Sequence, residues 1–303
     1  MTKKIETGDE IKIDQKQVRQ AFARAAKSYD EAAVLQREVN HHLLERLDYM
    51  KFSPESILDI GSGTGYASYA LYERYSKASI TALDLAYPML DVARSRESKM
   101  SRVTNMLGKR RMRFVNAAAE QLPFADHSFD MLYSNLTVQW VNDLDLALSE
   151  FIRVLKPGGM LLFSTFGPDT LKELRSSWSA IDNYSHVSPF LDMHDVGDAM
   201  LRARLAEPVM DVENFTLTYS DVYKLMRDLK AIGAHNATTK RARGLTGKQH
   251  FKQLEQQYEN FRDDGVLPAT YEVVYGHAWK SESSQHQNEA VSISVEDIMK
   301  PSA

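Results

Sequence analysis

The chain has 303 residues, 43% of them hydrophobic and 26% charged, with a formal net charge of -4 and no cysteine. Length and composition are those of a soluble globular protein with room for one large domain or two ordinary ones. The missing cysteine excludes disulfides, cysteine-ligated zinc, iron–sulfur clusters and thiol catalysis and fits a reducing cytoplasmic setting. The near-neutral charge makes no global case for nucleic acid or membrane as a partner.

The opening "MTKKIETGDEIKID" carries charge but no apolar core segment, so no secretory signal is expected. No apolar run approaches the roughly 18 residues of a membrane span. From Asp14 to about Tyr49 the pattern predicts helix, with Val18, Phe22, Ala25 and Tyr29, then Val39, Leu43, Leu44 and Leu47, at helical spacing. "FSPES" breaks it. Strand-like and helix-like segments then alternate. "SILDI", "SITALDL", "MRFVNAA", "FDMLYSN" and "MLLFSTF" read as strands. "TGYASYALYERYS", "PMLDVARSRESKM" and "DLDLALSEFIRVL" read as helices, the second opened by a proline and the third closed by the turn signal "KPGG". Such alternation implies βαβ units and a parallel sheet covered on both faces.

Beyond about Gly167 the order changes. Two helical stretches flank the loop "DNYSHVSPFLD". The strand-like "MDVENFTLTY" precedes the helix "SDVYKLMRDLKAIG". After the basic loop "KRARGLTGK" come another helix and the long strand "TYEVVYGHAWK". No internal repeat is present. The expected organisation is a helical lid over 1–49, an α/β domain over 50–280 with an insertion at about 167–265, and a polar tail over 281–303. Within that tail "VSISV" offers a short edge strand.

The stretch "ILDIGSGTGY" (57–66) places three glycines after an apolar strand that ends in an acid. Open α/β sheets bind ligands at the carboxyl ends of their strands, near the point where strand order reverses. A P-loop is ruled out because no Gly-Lys-Ser/Thr stands at this turn, and the dinucleotide pattern fails because its last glycine is replaced by Tyr66. Bare backbone with a leading acid suits a ligand with a cationic amino-acid end. Asp59 can attract that end, and Gly61 and Gly63 allow close approach. Asp84, ending the second strand 19 residues after Gly65, can accept from ribose hydroxyls.

On these residues the sequence resembles the class I S-adenosylmethionine-dependent methyltransferases, over about residues 50 to 166. The resemblance implies a Rossmann-like, mostly parallel seven-stranded sheet with helices on both faces and S-adenosylmethionine as methyl donor, with no metal. It places Asp59, Gly61, Gly63, Gly65, Asp84, Leu85, Met89, Ala119, Glu120 and Asn135 among the cofactor contacts. In "NAAAEQLPF", Ala118 stands where that superfamily often has an aspartate for the adenine amine. Backbone, Glu120 or water must then meet the amine. After the fourth strand, Asn135-Leu-Thr-Val138 lacks the Asn-Pro-Pro-Tyr pattern of amine methylators.

The segments "QAFARAAKSYDEAAVLQREV", "SNLTVQW", "GPDTLKELRSSW", "RDLKAIGAHN" and "LPATYEVVYGHAW" narrow the resemblance further. Over roughly residues 14 to 280 the chain resembles the malonyl-[acyl-carrier protein] O-methyltransferases of early biotin synthesis. This implies methyl transfer to the free carboxylate of a malonyl thioester on an acyl carrier protein. That carboxylate is already ionised and needs no general base. Candidates to orient it are Arg227 and Lys230, at i and i+3 on one helix face, then Arg175 and Arg24. Tyr29, in the lid, could contact cofactor or substrate. The basic run 240–248, with Arg241 and Arg243, is a candidate dock for the acidic carrier. The basic "GKRRMR" (108–113) reads as a solvated loop, and His186, Asp192, His194 and Asp195 read as a capped helix start rather than a metal site. The competing readings are a quinone or small-acid methyltransferase of the same fold, and a respiratory complex I assembly factor that resembles it in "DTLKELR" and "LPATYEVVY".

Overall fold

The computed structural model describes residues 12–97, 112–234, 236–239 and 247–282. Seven strands form one sheet in the order β3-β2-β1-β4-β5-β7-β6. They are β1 (Ser56–Ile60), β2 (Ser79–Asp84), β3 (Met112–Asn116), β4 (Phe129–Ser134), β5 (Leu155–Phe166), β6 (Leu205–Tyr219) and β7 (Leu267–Lys280). The first five pair in parallel, whereas β7 runs antiparallel to both β5 and β6. The sheet is therefore Rossmann-like and mostly parallel, with its order reversing between β1 and β4. The crevice that this reversal opens lies at the end of β1, where the glycine loop begins.

The apolar runs alternate between the two faces. Ile57, Ile80, Met131 and Leu162 face a core shared with α3 (Val34–Glu45), α4 (Tyr66–Arg74) and α7 (Lys172–Ser179). Leu58, Leu83, Leu132 and Leu161 face the opposite core, against α6 (Leu144–Val154) and α8 (Met193–Arg202). Burying both faces is what a parallel sheet requires, and it explains strands that read as continuous apolar runs. The remaining helices are α1 (Gln15–Ala25), α2 (Tyr29–Ala32), α5 (Tyr87–Ser95), α9 (Val222–Ala231) and α10 (Lys248–Tyr258). Side-chain caps start several of them. Asp14, Asp143, Asp192 and Asp221 accept from the amides of Gln17, Leu146, His194 and Lys224 at 2.6–3.1 Å. In α5 the proline takes a first-turn position, as its missing N–H allows.

Two local expectations change. The helical pattern over 14–49 is broken into α1, α2, α3 and a 3-10 turn at Arg46–Tyr49. The break follows from tertiary contacts: the Ser28 hydroxyl donates to the carbonyls of Ala25 and Ala231, and the Thr64 hydroxyl donates to the Asp30 carboxylate at 2.6 Å. "KPGG" is not a turn between elements but an irregularity inside β5. Its pairing to β4 shifts there, from Phe129↔Leu155 to Met131↔Met160. The basic run with Arg241 and Arg243, most of "GKRRMR" and the tail beyond 282 lie outside the described residues.

Candidate active site

β1 ends on Asp59 and Ile60, and the chain then turns through Gly61, Gly63 and Gly65 onto α4. Gly61 has φ +73°, and a Cβ there would stand 2.0 Å from the Thr137 hydroxyl oxygen, so both backbone and space demand glycine. At Gly63, with φ +54°, nothing stands within 4 Å of where a Cβ would be. Its N–H donates to Asp84 Oδ2 at 2.8 Å, while the amide of Ala86 donates to Asp84 Oδ1 at 2.7 Å. The carboxylate that ends β2 thus holds the loop that follows β1, and each of its oxygens keeps further acceptor capacity.

Both acids are electrostatically unsettled. Burial pushes the Asp59 carboxyl up to about 7, despite the Ser68 hydroxyl bonded to it, and the charge of Asp84 adds to the rise. Burial likewise pushes Asp84 up to about 6, against the two amides that favour its charged form. Tyr29, at the start of α2, has its hydroxyl shifted well upward by burial, with the Asp84 charge contributing. A ligand that brings a cation and ribose hydroxyls relieves this arrangement.

A cavity of about 350 Å³ runs from this loop to the segments after β5. At the loop end, Gly61, Gly63, Asp84, Leu85, Met89, Ala119, Glu120, Asn135 and Tyr29 line it. Gly65 is buried beneath, close to Ala93. Glu120 accepts from the Gln15 side chain at 3.2 Å and from the Asn142 amide at 3.3 Å. The Asn135 side chain stitches elements together, donating to the Gln36 carbonyl at 3.0 Å and accepting from the Ser164 hydroxyl at 2.8 Å. The far end is aromatic, walled by Phe166, Trp178, Phe190, Phe251 and Tyr271.

A smaller space of about 50 Å³ adjoins it and is lined by Asp59, Arg37, Asn40, Ser62 and Thr64. Asn40 is only 1% exposed, and its Nδ2 lacks a hydrogen-bond partner, as does the buried Ser62 hydroxyl. Buried donors without partners cost free energy unless something accepts from them. Next to Asp59, these donors provide for a carboxylate where Asp59 provides for an ammonium. Arg37 and Asn40 had no signal in the sequence, because their place depends on how α3 is laid over the glycine loop; Ser62 lies within that loop but was not singled out.

The basic candidates separate. Lys230, near the end of α9, lines the cavity, whereas Arg227 and Arg24 are exposed and are not among its lining residues. The Arg175 guanidinium donates to the carbonyls of Pro168 and Thr170 at 2.7 and 2.8 Å and braces the turn after β5. Gln15 and Phe22 of α1 and Trp140 line the cavity as well. Phe22 meets Trp140 edge-on at 5.4 Å. The helical spacing of Phe22 with Val18 and Ala25 was visible in the sequence, but not the surface that Phe22 would cover. No group of three or more metal-ligating side chains is found among the described residues. Nor is any described helix long and apolar enough to cross a membrane.

Comparison with known proteins places these features in context. Residues 58–163 match the model of a methyltransferase domain. Among solved structures, the YcgJ protein of Bacillus subtilis superposes with a TM-score of 0.56 at 18% identity, covering 80% of this chain and 99% of that one. A putative methyltransferase of Bacillus halodurans gives 0.53 at 18% identity, covering 79% and 98%. These two establish the fold. Among curated sequences, the malonyl-[acyl-carrier protein] O-methyltransferase of Gallionella capsiferriformans is 53% identical over 90% of this chain and 93% of its own length. The protein of the same name from Methylovorus is 52% identical over 91% and 93%, and one from Coxiella burnetii is 43% identical over 96% and 98%. At that identity, extending through the lid and the segments after β5, the chain is a methyltransferase and belongs to the malonyl-[acyl-carrier protein] O-methyltransferase family.

Proposed function

We propose that the protein transfers the methyl group of S-adenosylmethionine to the free carboxylate of a malonyl thioester on an acyl carrier protein. It would do so in the cytoplasm, at an early step of biotin synthesis. The observation that carries the reading is the continuous cavity joining the glycine loop and Asp84 to an aromatic-walled acceptor end. The names of the relatives favour this reading over a complex I assembly role or a quinone acceptor.

The residues fit the donor. Asp59 suits its ammonium, Asn40 and Ser62 carry unpaired donors suited to its carboxylate, and Asp84 suits its ribose hydroxyls. When bound, S-adenosylmethionine supplies a methyl group on a cationic sulfur that becomes a neutral thioether on transfer. The chain's own work is alignment and exclusion of water. A malonyl carboxylate is ionised at neutral pH and is itself the nucleophile, so no side chain need remove a proton. Alignment alone can supply roughly 7–11 kcal/mol. Phe22, Trp140 and Tyr29 close one side of the cavity, and Lys230 brings an ammonium to its wall.

The deciding experiment follows labelled methyl from S-adenosylmethionine to malonyl-acyl carrier protein, alongside rescue of a biotin-requiring strain. A protein that binds the donor yet labels no malonyl substrate contradicts the reading. We further propose that the basic run 240–248 docks the acidic carrier. If charge reversal at Arg241 and Arg243 leaves KM for the carrier-bound substrate unchanged, docking lies elsewhere.

A further inference from the structure

The loop between α7 and α8 brings one imidazole to the acceptor end of the cavity. His186 lines it, with 14% of its side chain exposed. Its ring lies flat on Trp178, with centroids 3.8 Å apart and planes 5° from parallel. Nε2 faces both oxygens of Asp182, at 2.9 and 3.1 Å. The loop is tied down beyond it, because the Asn236 side chain donates to the Ser185 carbonyl and is itself held by the Thr238 amide at 2.9 Å. Plane, position and one nitrogen of the ring are therefore fixed. The other nitrogen, Nδ1, has no hydrogen-bond partner among the described residues.

A carboxylate facing Nε2 keeps the proton on that nitrogen, so Nδ1 either carries a bare lone pair or is protonated as imidazolium. A bare lone pair repels a carboxylate, whereas an imidazolium N–H donates to one and forms a charge-assisted hydrogen bond. Resting on the acceptor assignment made above, we propose that His186 is the acceptor-positioning residue, its imidazolium Nδ1–H pairing with one carboxylate oxygen of the acceptor. The second oxygen keeps its lone pairs for the methyl group. Esterification removes the negative charge that held the acceptor, so the same contact that selects a dicarboxylic half-thioester over a plain acyl thioester releases the neutral ester. The charged and titratable groups around the ring are few. Asp182 is in its own loop; burial pushes its carboxyl up, but the Tyr184 amide and the ring bonded to it bring it below its ordinary value. His250 of α10 acts on Asp182 through its charge, and Lys230 of α9 stands on the cavity wall. Trp178, stacked on the ring, and Phe251, which meets Trp178 edge-on, carry no charge.

Kinetics of the full chain with malonyl-acyl carrier protein, from about pH 6 to about pH 8, span the range in which histidine changes charge. For the wild type, KM is expected to rise with pH while kcat stays level. His186→Gln is expected to raise KM about 10-fold or more at the acidic end, the worth of a hydrogen bond to a charged group, and to flatten its pH dependence. Its kcat at saturation and its affinity for S-adenosylmethionine by calorimetry should stay near wild type, a combination that a merely structural role does not give. Wild-type KM with the wild-type pH slope in His186→Gln, or a loss confined to kcat, overturns the proposal. If that variant fails to bind the donor and so has not folded, Asp182→Asn carries the test. An onset of the KM rise moved to lower pH supports the role, and an unmoved onset refutes it. A wild type that binds the donor but methylates no malonyl substrate at any pH overturns the acceptor assignment itself and this inference with it.

Discussion

Replacing Asp59 with asparagine separates stability from function at the donor site. The carboxyl is 1% exposed, and burial pushes it up to about 7 from an ordinary value of 3.8, with the Asp84 charge adding to the rise. A raised carboxyl pKa means that the folded state holds a proton which the unfolded chain has released. This contribution is therefore stabilising at acid pH and is lost as pH rises through about 7. The shift is roughly 3 units, and at about 1.4 kcal/mol per unit it corresponds to ~4 kcal/mol lost on going from acid to mildly alkaline conditions. An asparagine side chain in this place would keep an oxygen to accept from Ser68 but carry no charge. For a chain of this size, Asp59→Asn should raise the melting temperature of the ligand-free protein by ~5 °C at about pH 8 and by much less at about pH 5. The same substitution removes the partner proposed for the donor's ammonium, so the stabilisation that S-adenosylmethionine gives the wild type should vanish. Thermal melts of both proteins across pH, with and without the donor, read both effects. If ligand-free Asp59→Asn melts below wild type at the alkaline end, or keeps the full ligand shift, the buried-charge reasoning is wrong.

Gly61→Ala should abolish donor binding and lower stability by roughly 1–3 kcal/mol, because the added Cβ meets Thr137 in a left-handed backbone. Calorimetry and denaturant melts check both, and retention of wild-type affinity would contradict the assignment. Lys230→Met should raise KM for the malonyl substrate, whereas Arg227→Ala, outside the cavity lining, should stay within about 2-fold of wild type in steady-state kinetics. An equal or larger effect at Arg227 would reverse that ranking. Asp30→Ala cuts the bonds from Thr64 and Arg96 that hold α2 against the glycine loop. It should weaken donor affinity while shifting the melting temperature little, since the ion pair is partly exposed and such pairs contribute only about 0–1 kcal/mol. A large loss of stability with unchanged affinity would argue against a role for α2 over the donor.

The parts of this site that the sequence exposed are those fixed by local backbone chemistry. The glycine loop and Asp84 sit at strand ends, where apolar runs stop and bare or acidic residues begin, so their spacing along the chain mirrors their spacing across the crevice. The segment 14–49 was legible as helix but not as three helices and a 3-10 turn. Its breaks come from Ser28 and Asp30 reaching across to Ala231 and Thr64, contacts between residues 34 or more positions apart. Asn40 and Arg37 carry no pattern of their own and become site residues only when α3 lies over the loop. As cations, Arg227 ranked ahead of Arg175 in the sequence. Geometry distinguishes them, because one guanidinium is engaged by two backbone carbonyls while the other stays outside the cavity lining. His186 read in the sequence as part of a capped loop rather than a metal site, since its stacking on Trp178 links a loop to a helix and leaves no trace in spacing.

The two ends of the cavity have opposite electrical character, and this bears on how a turnover ends. At one end two buried carboxyls, Asp59 and Asp84, sit with pKa values near neutrality and no basic side chain bonded to either among the described residues. At the other, His186 and Lys230 stand on the wall with the aromatic side chains Phe166, Trp178, Phe190, Phe251 and Tyr271. A cationic donor and an anionic acceptor are each drawn to the end that suits them, and the field between those ends holds them facing one another. Methyl transfer then removes both charges at once, leaving a neutral thioether and a neutral ester. On the proposed assignment the carboxyls would still hold the ammonium and ribose of the spent donor, whereas the acceptor end would have lost the only charge it could grip. On this account the ester leaves first and the spent donor second. A site built from uniform polarity would have to break a charged contact before it could release either.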